Sequence, residues 1–321
     1  MDRNLTRSIA ALVLSSSGAM AACNFVPPPD TPLRADGFYA DARGSEIDPT
    51  RKAARDRETA IYEAVVRRVQ ASADAFALRG DAQAGRCALE QLDTWARMQP
   101  LAGRLATRQA NYERNWYLAG FALAYLKLRG SGAAETRSRV ENWFAAMAAG
   151  SEAALDAGEV PGNNLLYWSG LALGAAGLAT GNPQFDRRAR AILDQGLASV
   201  GRTGMLPLEL RRGRKALDYH AFAAAPLSLL ALIAQARESP FDSAALARLG
   251  EAVLAGLADP RPFGAAAGDA QEMPPAWNLA WLPVYRSLVP GGALPAYSPA
   301  SHFLGGDVAA TTEAIRAVVP R

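Results

Sequence analysis

Leu165-Leu-Tyr-Trp-Ser-Gly-Leu-Ala-Leu-Gly-Ala-Ala-Gly-Leu-Ala179 is the stretch on which the fold turns. Its large residues, Leu166, Trp168, Leu171, Leu173 and Leu178, fall on every side of a helix, and a helix that is apolar all round must be buried on every side. Asp218 to Ala234 reads the same way. The neighbouring segments differ in kind. Lys52 to Arg79 sets Ile61, Val65, Val69 and Phe76 on a charged background and stops at Gly80. Ala82 to Met98 follows Asp81 and ends before Pro100. A further helix runs from about Leu105 to Leu128 with Gly130 as its stop, and another from Glu135 to Met147, stopped by Gly150. Phe185 to Val200 and Ser243 to Leu257 are amphipathic. Buried helices thus alternate with half-exposed ones, with no convincing strand pair and no fixed-period repeat. This predicts an all-α fold, an (α/α) toroid or barrel in which an incomplete ring of inner helices is wrapped by outer ones.

Outward from that ring, residues 51–321 read as a single domain and 22–50 as an irregular arm carrying Val26-Pro27-Pro28-Pro29. Residues 1–21 read as an export signal: Arg3 and Arg7 precede an apolar stretch from Ile9 to Met20, closed by the small-x-small pattern Ala19-Met20-Ala21. No later stretch reaches about 18 uninterrupted apolar residues, so no permanent membrane anchor is expected. The expected location is the periplasm or the exterior. There the two cysteines, Cys23 and Cys87, are expected to form a disulfide. The rival reading makes Met20-Ala21-Ala22-Cys23 a lipobox with a lipid on Cys23. It fits less well, because methionine is a poor first lipobox residue and Cys87 would be left as a free thiol.

The chain has 321 residues, 50% of them hydrophobic and 20% charged, which indicates a folded core. Lysine occurs only at Lys52, Lys127 and Lys215, so the basic residues are overwhelmingly arginine. A net charge of +3 with no long basic run does not indicate a nucleic-acid partner. Two histidines and two cysteines leave little material for a zinc-type metal site, and no cofactor is expected.

Three places are richer than a core requires. Asn163-Asn164 follows Pro161-Gly162 at the start of the buried helix; Asn is a favoured cap, but an inward-facing start also places an amide at the centre of the ring. Arg211, Arg212, Arg214 and Lys215 crowd in before the second apolar helix, where the dipole is already positive, an arrangement easier to understand with an anion bound. Tyr219 and His220 enter that same helix. A phenol near arginines is expected to have its pKa lowered towards use as a base. Tyr112, Arg114 and Trp116 mix aromatics with a cation in the way that suits stacking on sugar rings, although aromatic stripes at helical spacing are more often core.

These segments resemble the alginate lyase family of α/α-toroid polysaccharide lyases over most of the chain. The resemblance rests on Gly37-Phe-Tyr39-Ala-Asp41, Cys87-Ala-Leu, Leu92-Asp-Thr-Trp95-Ala, Arg114-Asn-Trp116 and Ala124-Tyr-Leu-Lys. Asn163-Asn164 with Tyr167-Trp168 is similar to the family's Asn-Asn-His-x-Tyr-Trp. Pro207-Leu-Glu-Leu through Ala216-Leu-Asp-Tyr-His220 is similar to its Pro-x-Glu, arginine, Ala-Leu-x-Tyr-His segment, and Trp281-Leu-Pro-Val-Tyr285 and Leu304-Gly-Gly-Asp307 match its C-terminal signatures. The resemblance implies β-elimination on a uronate polysaccharide. Asn164 and Arg212 would neutralise the C5 carboxylate, and Tyr219 would transfer the proton. Asn163, Tyr112, Arg114, Trp116, Trp168, Arg214, His220 and Tyr39 would bind substrate. The implied partner is an acidic polysaccharide, met by a monomer. Three family positions differ: the His after Asn-Asn is Leu165, the Arg before Leu-Gly-Gly is Phe303, and the Tyr three residues after Tyr219 is Phe222. The only histidines are His220 and His302, neither near Leu165 in sequence. A binding protein that keeps a uronate-recognising groove without cleaving, and a purely structural helical protein, are the alternatives.

Overall fold

A computed structural model of the chain describes residues 23–318, so the export signal read over residues 1–21 lies outside the described residues. The chain enters as the irregular arm and then turns into α1 (Pro49–Arg79), α2 (Ala82–Met98), α3 (Arg108–Leu126), α4 (Ala134–Asp156), α5 (Asn164–Thr180) and α6 (Pro183–Ala198). A short α7 (Pro207–Leu210) leads to α8 (Ala216–Ala236), followed by α9 (Ser243–Ala258), α10 (Arg261–Ala267), α11 (Leu282–Leu288) and α12 (Val308–Arg316). The starts are set locally by capping side chains. Asp48, Asp81, Thr107, Asn163, Asn182 and Asp242 each accept a first-turn N–H, satisfying donors that have no partner within the helix.

The helices form an (α/α) toroid. α1, α3, α5 and α8 make the inner layer, and α2, α4, α6 and α9 pack outside them. α5 lies against α3, α4, α6 and α8, so its all-round apolar surface has a neighbour in each direction. α8 is long and apolar enough by composition to cross a membrane, yet it is packed within the ring against α5, α6, α9 and α12. Close approach needs small residues: a Cβ on Gly170 of α5 would come within 2.6 Å of Ile192 on α6. A buried polar thread crosses the same layer. Ser151 donates to Asn115 Oδ1 at 2.6 Å, and Asn115 Nδ2 donates to Ser169 at 2.7 Å, which ties α4, α3 and α5 in register beneath the site.

Two features depart from the sequence reading. Gly150 does not stop α4, which runs on to Asp156. The glycine is there for space, since a Cβ would lie 2.5 Å from Arg114 Nη1 and 2.8 Å from the Gly103 carbonyl. A strand pair does exist: Ala300 pairs with Asp307 and Ser301 with Gly306, antiparallel, around a 3₁₀ turn His302–Leu304. Two residues a side are too few to leave an alternating pattern in sequence. This hairpin is clasped by the buried Lys127, whose ammonium donates to Asp74 and to the carbonyls of Gly305 (2.9 Å) and Asp307 (3.1 Å).

The arm is fastened at its start. Cys23 and Cys87 form a disulfide with a Cα–Cα distance of 5.4 Å, which leaves Cys23 no thiol for the lipid of the rival reading. Gln91 and Trp95 of α2 bond the backbone of Val26, and Leu33 and Ala35 are buried. The bridge closes a loop of 64 residues, for which chain entropy allows about 4 kcal/mol as an upper figure. Cys87→Ser is therefore expected to lower the melting temperature by as much as reductant lowers that of the wild type. An unchanged melt in reductant would show that the Gln91 and Trp95 contacts suffice to hold the arm.

Candidate active site

The four inner helices present their opening turns to one cavity of about 440 Å³. α1 supplies Lys52 and Arg55, α3 supplies Gln109, Tyr112 and Trp116, α5 supplies Asn164 and Leu165, and α8 supplies Asp218, Tyr219 and Phe222. Four helix N-termini therefore face one space. Caps from Asp48, Thr107 and Asn163 take part of their first-turn N–H groups, and the remaining positive ends of the dipoles bias the cavity towards an anion.

The cavity's cations are not equally committed. Arg55 is held bidentately by Glu113, which is fully buried, at 2.8 and 2.7 Å. Lys52 pairs with Asp56 at 2.5 Å and Lys215 with Glu272 at 2.6 Å. Arg212 has no such close partner among the described residues: Nη1 reaches the Arg43 carbonyl at 3.4 Å, and its carboxylate neighbour, Glu209, is 3.8 Å from Nε. The guanidinium lies over the Tyr219 ring, 4.2 Å from its centroid, and 5.8 Å from that of Tyr39. The arm passes close against it at Gly44, whose φ of 68° and missing side chain make room; a Cβ there would lie 1.9 Å from Nη1.

Glu209, itself 1% exposed, ties Arg212 to Asn164. It accepts the Asn164 backbone N–H at 2.7 Å and the side-chain nitrogen at 3.0 and 3.1 Å. Burial pushes its pKa up, against the pull of the Asn164 amides and Arg212. With its nitrogen fixed on a carboxylate, Asn164 has its orientation fixed too. Its Oδ1 is buried, with no partner among the described residues.

Tyr219 donates to, or accepts from, the hydroxyl of Tyr39, which the arm lays across the cavity. The expectation that arginines lower the Tyr219 pKa is corrected here. Burial and the neighbouring Tyr39 raise it well above the usual phenol range, and Arg212 only partly opposes them. Burial penalises the phenolate more than one cation over the ring face favours it.

The cavity brings together Asn164, Arg212, Tyr219, Tyr39, Tyr112 and Trp116. It does not include the other residues assigned to substrate. Arg114 is 1% exposed and donates to the carbonyls of Gly103 (2.6 Å) and Gly150 and to Asn111 Oδ1, so it is a brace between α3, α4 and the preceding loop. Trp168 is buried beneath the cavity floor against Phe222 and Phe303. Asn163 caps α5 by accepting from Leu165 N. Arg214 pairs with Glu272 at 3.0 Å and bonds the Ser45 carbonyl. His220 is fully buried: Nε2 accepts from Leu206 N at 2.7 Å, Nδ1 donates to the Ala216 carbonyl, and the ring abuts Phe263.

The other histidine is the one in the site. His302 and Phe303 come in from the C-terminal hairpin to line the cavity, and neither ring nitrogen of His302 has a hydrogen-bond partner among the described residues. Burial, with Arg67 and Arg55 nearby, lowers its pKa to about 3 and keeps the imidazole neutral. Nothing local in the sequence marks it. Trp277 and Asn278 reach the cavity from a 3₁₀ turn, where Asn278 donates to the Asp218 carboxylate at 2.8 Å.

The chain is similar to known proteins in sequence and in fold. Residues 33–263 match the family model described as alginate lyase. A polysaccharide lyase of Stenotrophomonas maltophilia (strain K279a) is 33% identical over 322 residues, covering 96% of each chain. An alginate lyase of Azotobacter vinelandii (strain DJ / ATCC BAA-1303) is 32% identical over 295 residues, 84% of this chain and 77% of that protein. Among solved structures, alginate lyase A1-III from Sphingomonas species A1 superposes with a TM-score of 0.74 at 17% identity, over 90% of this chain and 85% of that one. A variant of A1-III complexed with a tetrasaccharide gives 0.78, again with 17% identity and the same coverage. At that identity the structures speak for the fold alone.

Proposed function

This chain belongs to the alginate lyase family of polysaccharide lyases, and on that premise we propose that it cleaves a uronate polymer, alginate or polymannuronate in kind, by β-elimination outside the cytoplasm. The observation that carries the reading is Arg212, a cation facing the cavity between Asn164 and Tyr219, with no carboxylate among the described residues closer than Glu209 at 3.8 Å. The C5 proton of a uronate is hard to remove while the adjacent carboxylate is fully charged. Arg212 neutralises that charge and the helix ends add to the field, while Asn164, its nitrogen held by Glu209, offers Oδ1 as an acceptor to a proton-bearing group of the sugar. Tyr219, as phenolate, takes the C5 proton. The C4–O4 bond breaks as the C4=C5 double bond forms, and the same phenol returns its proton to O4 in a syn elimination. The tyrosine ends as it began. Tyr112 and Trp116 flank the sugar rings, and the disulfide supports export to an oxidising compartment.

A second reading, a polyuronate binder that no longer cleaves, draws on Leu165, an apolar residue on the cavity wall where the resemblance implies a histidine, and on the burial that raises the Tyr219 pKa. The appearance of double-bond absorbance on polymannuronate, polyglucuronate or hyaluronan separates the two. Absence of that signal from pH 5 to 10, with binding retained, would establish the binder.

Arg212→Ala is expected to lower both binding and kcat/KM on the cleaved polymer by about ten- to a hundredfold, the value of one charge-assisted pair of about 1.5–3 kcal/mol. Arg212→Lys should recover only part of this, because a point charge does not grip a carboxylate bidentately. Titration calorimetry and initial rates would show it; unchanged affinity in the alanine variant would place the carboxylate elsewhere.

A further inference from the structure

We propose that a second chamber beside the active cavity binds further uronate units of the same polymer, with Arg67 neutralising a carboxylate there and Trp277 and His302 carrying the chain across. The inference rests on the lyase reading of the first cavity and extends it to the length of substrate the protein grips.

The chamber, of about 460 Å³, opens between α1 and the C-terminal hairpin, and Trp277 and His302 line both spaces. The two spaces adjoin, with Trp277 and His302 on the wall they share and both rings packed on Phe303. Trp277 is 44% exposed, a large indole left in water beside a cavity, with its inner face braced on Phe303 at 5.8 Å. Such a ring suits the apolar face of a sugar. The unpartnered, neutral imidazole of His302 offers one donor and one acceptor to ring hydroxyls without adding charge.

Arg67 supplies the charge. It is exposed on the chamber rim and has neither an ion pair nor a hydrogen bond among the described residues. It lies on the same helix as Arg55, which lines the first cavity. The twelve-residue step from one to the other, at 1.5 Å per residue, spans about 18 Å, a distance for several sugar units rather than one. The acid on this wall, Asp74, is neutralised by Lys127. A cation free on the surface, an exposed indole and an unsatisfied imidazole beside two adjoining spaces suit a repeating anionic sugar better than any compact metabolite.

The test uses Tyr219→Phe full-length protein, which holds substrate without turning it over, titrated calorimetrically with size-defined oligomannuronates from dimer to hexamer. Affinity is expected to climb with length beyond the units that fill the first cavity. Adding Arg67→Ala should remove about tenfold from the longer oligomers, flatten their salt dependence and leave the dimer unchanged; adding Trp277→Ala should also act on the longer ones. Carboxyl-reduced oligomers should show no Arg67 effect. Equal loss at every length, or no loss at any, would overturn the second chamber while leaving the first intact. Failure of every oligouronate to bind, in the wild type as well, would overturn the lyase reading and the chamber with it.

Discussion

Tyr219→Phe is expected to lower kcat on the cleaved polyuronate by about 10²–10⁴-fold, the usual worth of a positioned acid–base group, while polymer affinity changes little. Only a hydroxyl is lost, and the ring that supports Arg212 at 4.2 Å remains. The wild-type pH profile has a sign that follows from the site. Burial and Tyr39 hold the Tyr219 proton above the ordinary phenol range, so the protonated form dominates at neutral pH and the basic form is scarce. kcat/KM should accordingly rise by about tenfold per pH unit on the alkaline side, without a plateau below about pH 10. Removing the opposing cation by Arg212→Ala should carry that limb further alkaline, besides lowering it. His302 is no substitute, since an imidazole with a pKa of about 3 is a weak base. Leu165→His offers one instead: Leu165 is half-buried on the cavity wall, and an imidazole there should raise the rate at neutral pH. Full cleavage by Tyr219→Phe, or a flat profile through pH 7–10, would end the tyrosine mechanism.

The ring was legible because α5 and α8 are apolar on all sides, a composition that has only one stable location. The C-terminal turns were not, since segments of two to four residues carry no period. Within the site, helix geometry explains most of what the residues alone concealed. Successive residues on a helix diverge by about 100°. Tyr219 therefore faces the cavity while His220 turns to Phe263. Tyr112 and Trp116, four apart, share the cavity face, and Arg114 between them points outward to the Gly103 and Gly150 carbonyls. Both divergences follow from the spacing itself. The Arg212–Asn164 proximity does not, because it depends on Glu209, whose link to Asn164 spans 45 residues. His302 lies further still in sequence from Asn164, Arg212 and Tyr219, brought in by a hairpin that the buried Lys127 clasps.

Glu209→Ala should cost both stability and catalysis, and Glu209→Gln should separate the two. In the alanine variant the Asn164 backbone N–H and side-chain amide lose their acceptor in a buried site, at about 1–3 kcal/mol for each unsatisfied group, so the melting temperature should fall by several degrees. The glutamine keeps the volume and one acceptor oxygen for the backbone N–H, so the fold should survive nearly intact. It cannot keep the site. Its amide nitrogen would face the Asn164 nitrogen across about 3 Å, driving Asn164 to turn over and present the opposite edge to the sugar. It also takes away the one carboxylate that draws Arg212 towards Asn164, at 3.8 Å. A misplacement of about 1 Å can cost about 10²-fold, so kcat/KM in Glu209→Gln should drop by tenfold to a hundredfold against a small change in melting temperature. Wild-type turnover in a well-folded glutamine variant would reduce Glu209 to a buried capping group and leave Asn164 and Arg212 placed by the helices alone.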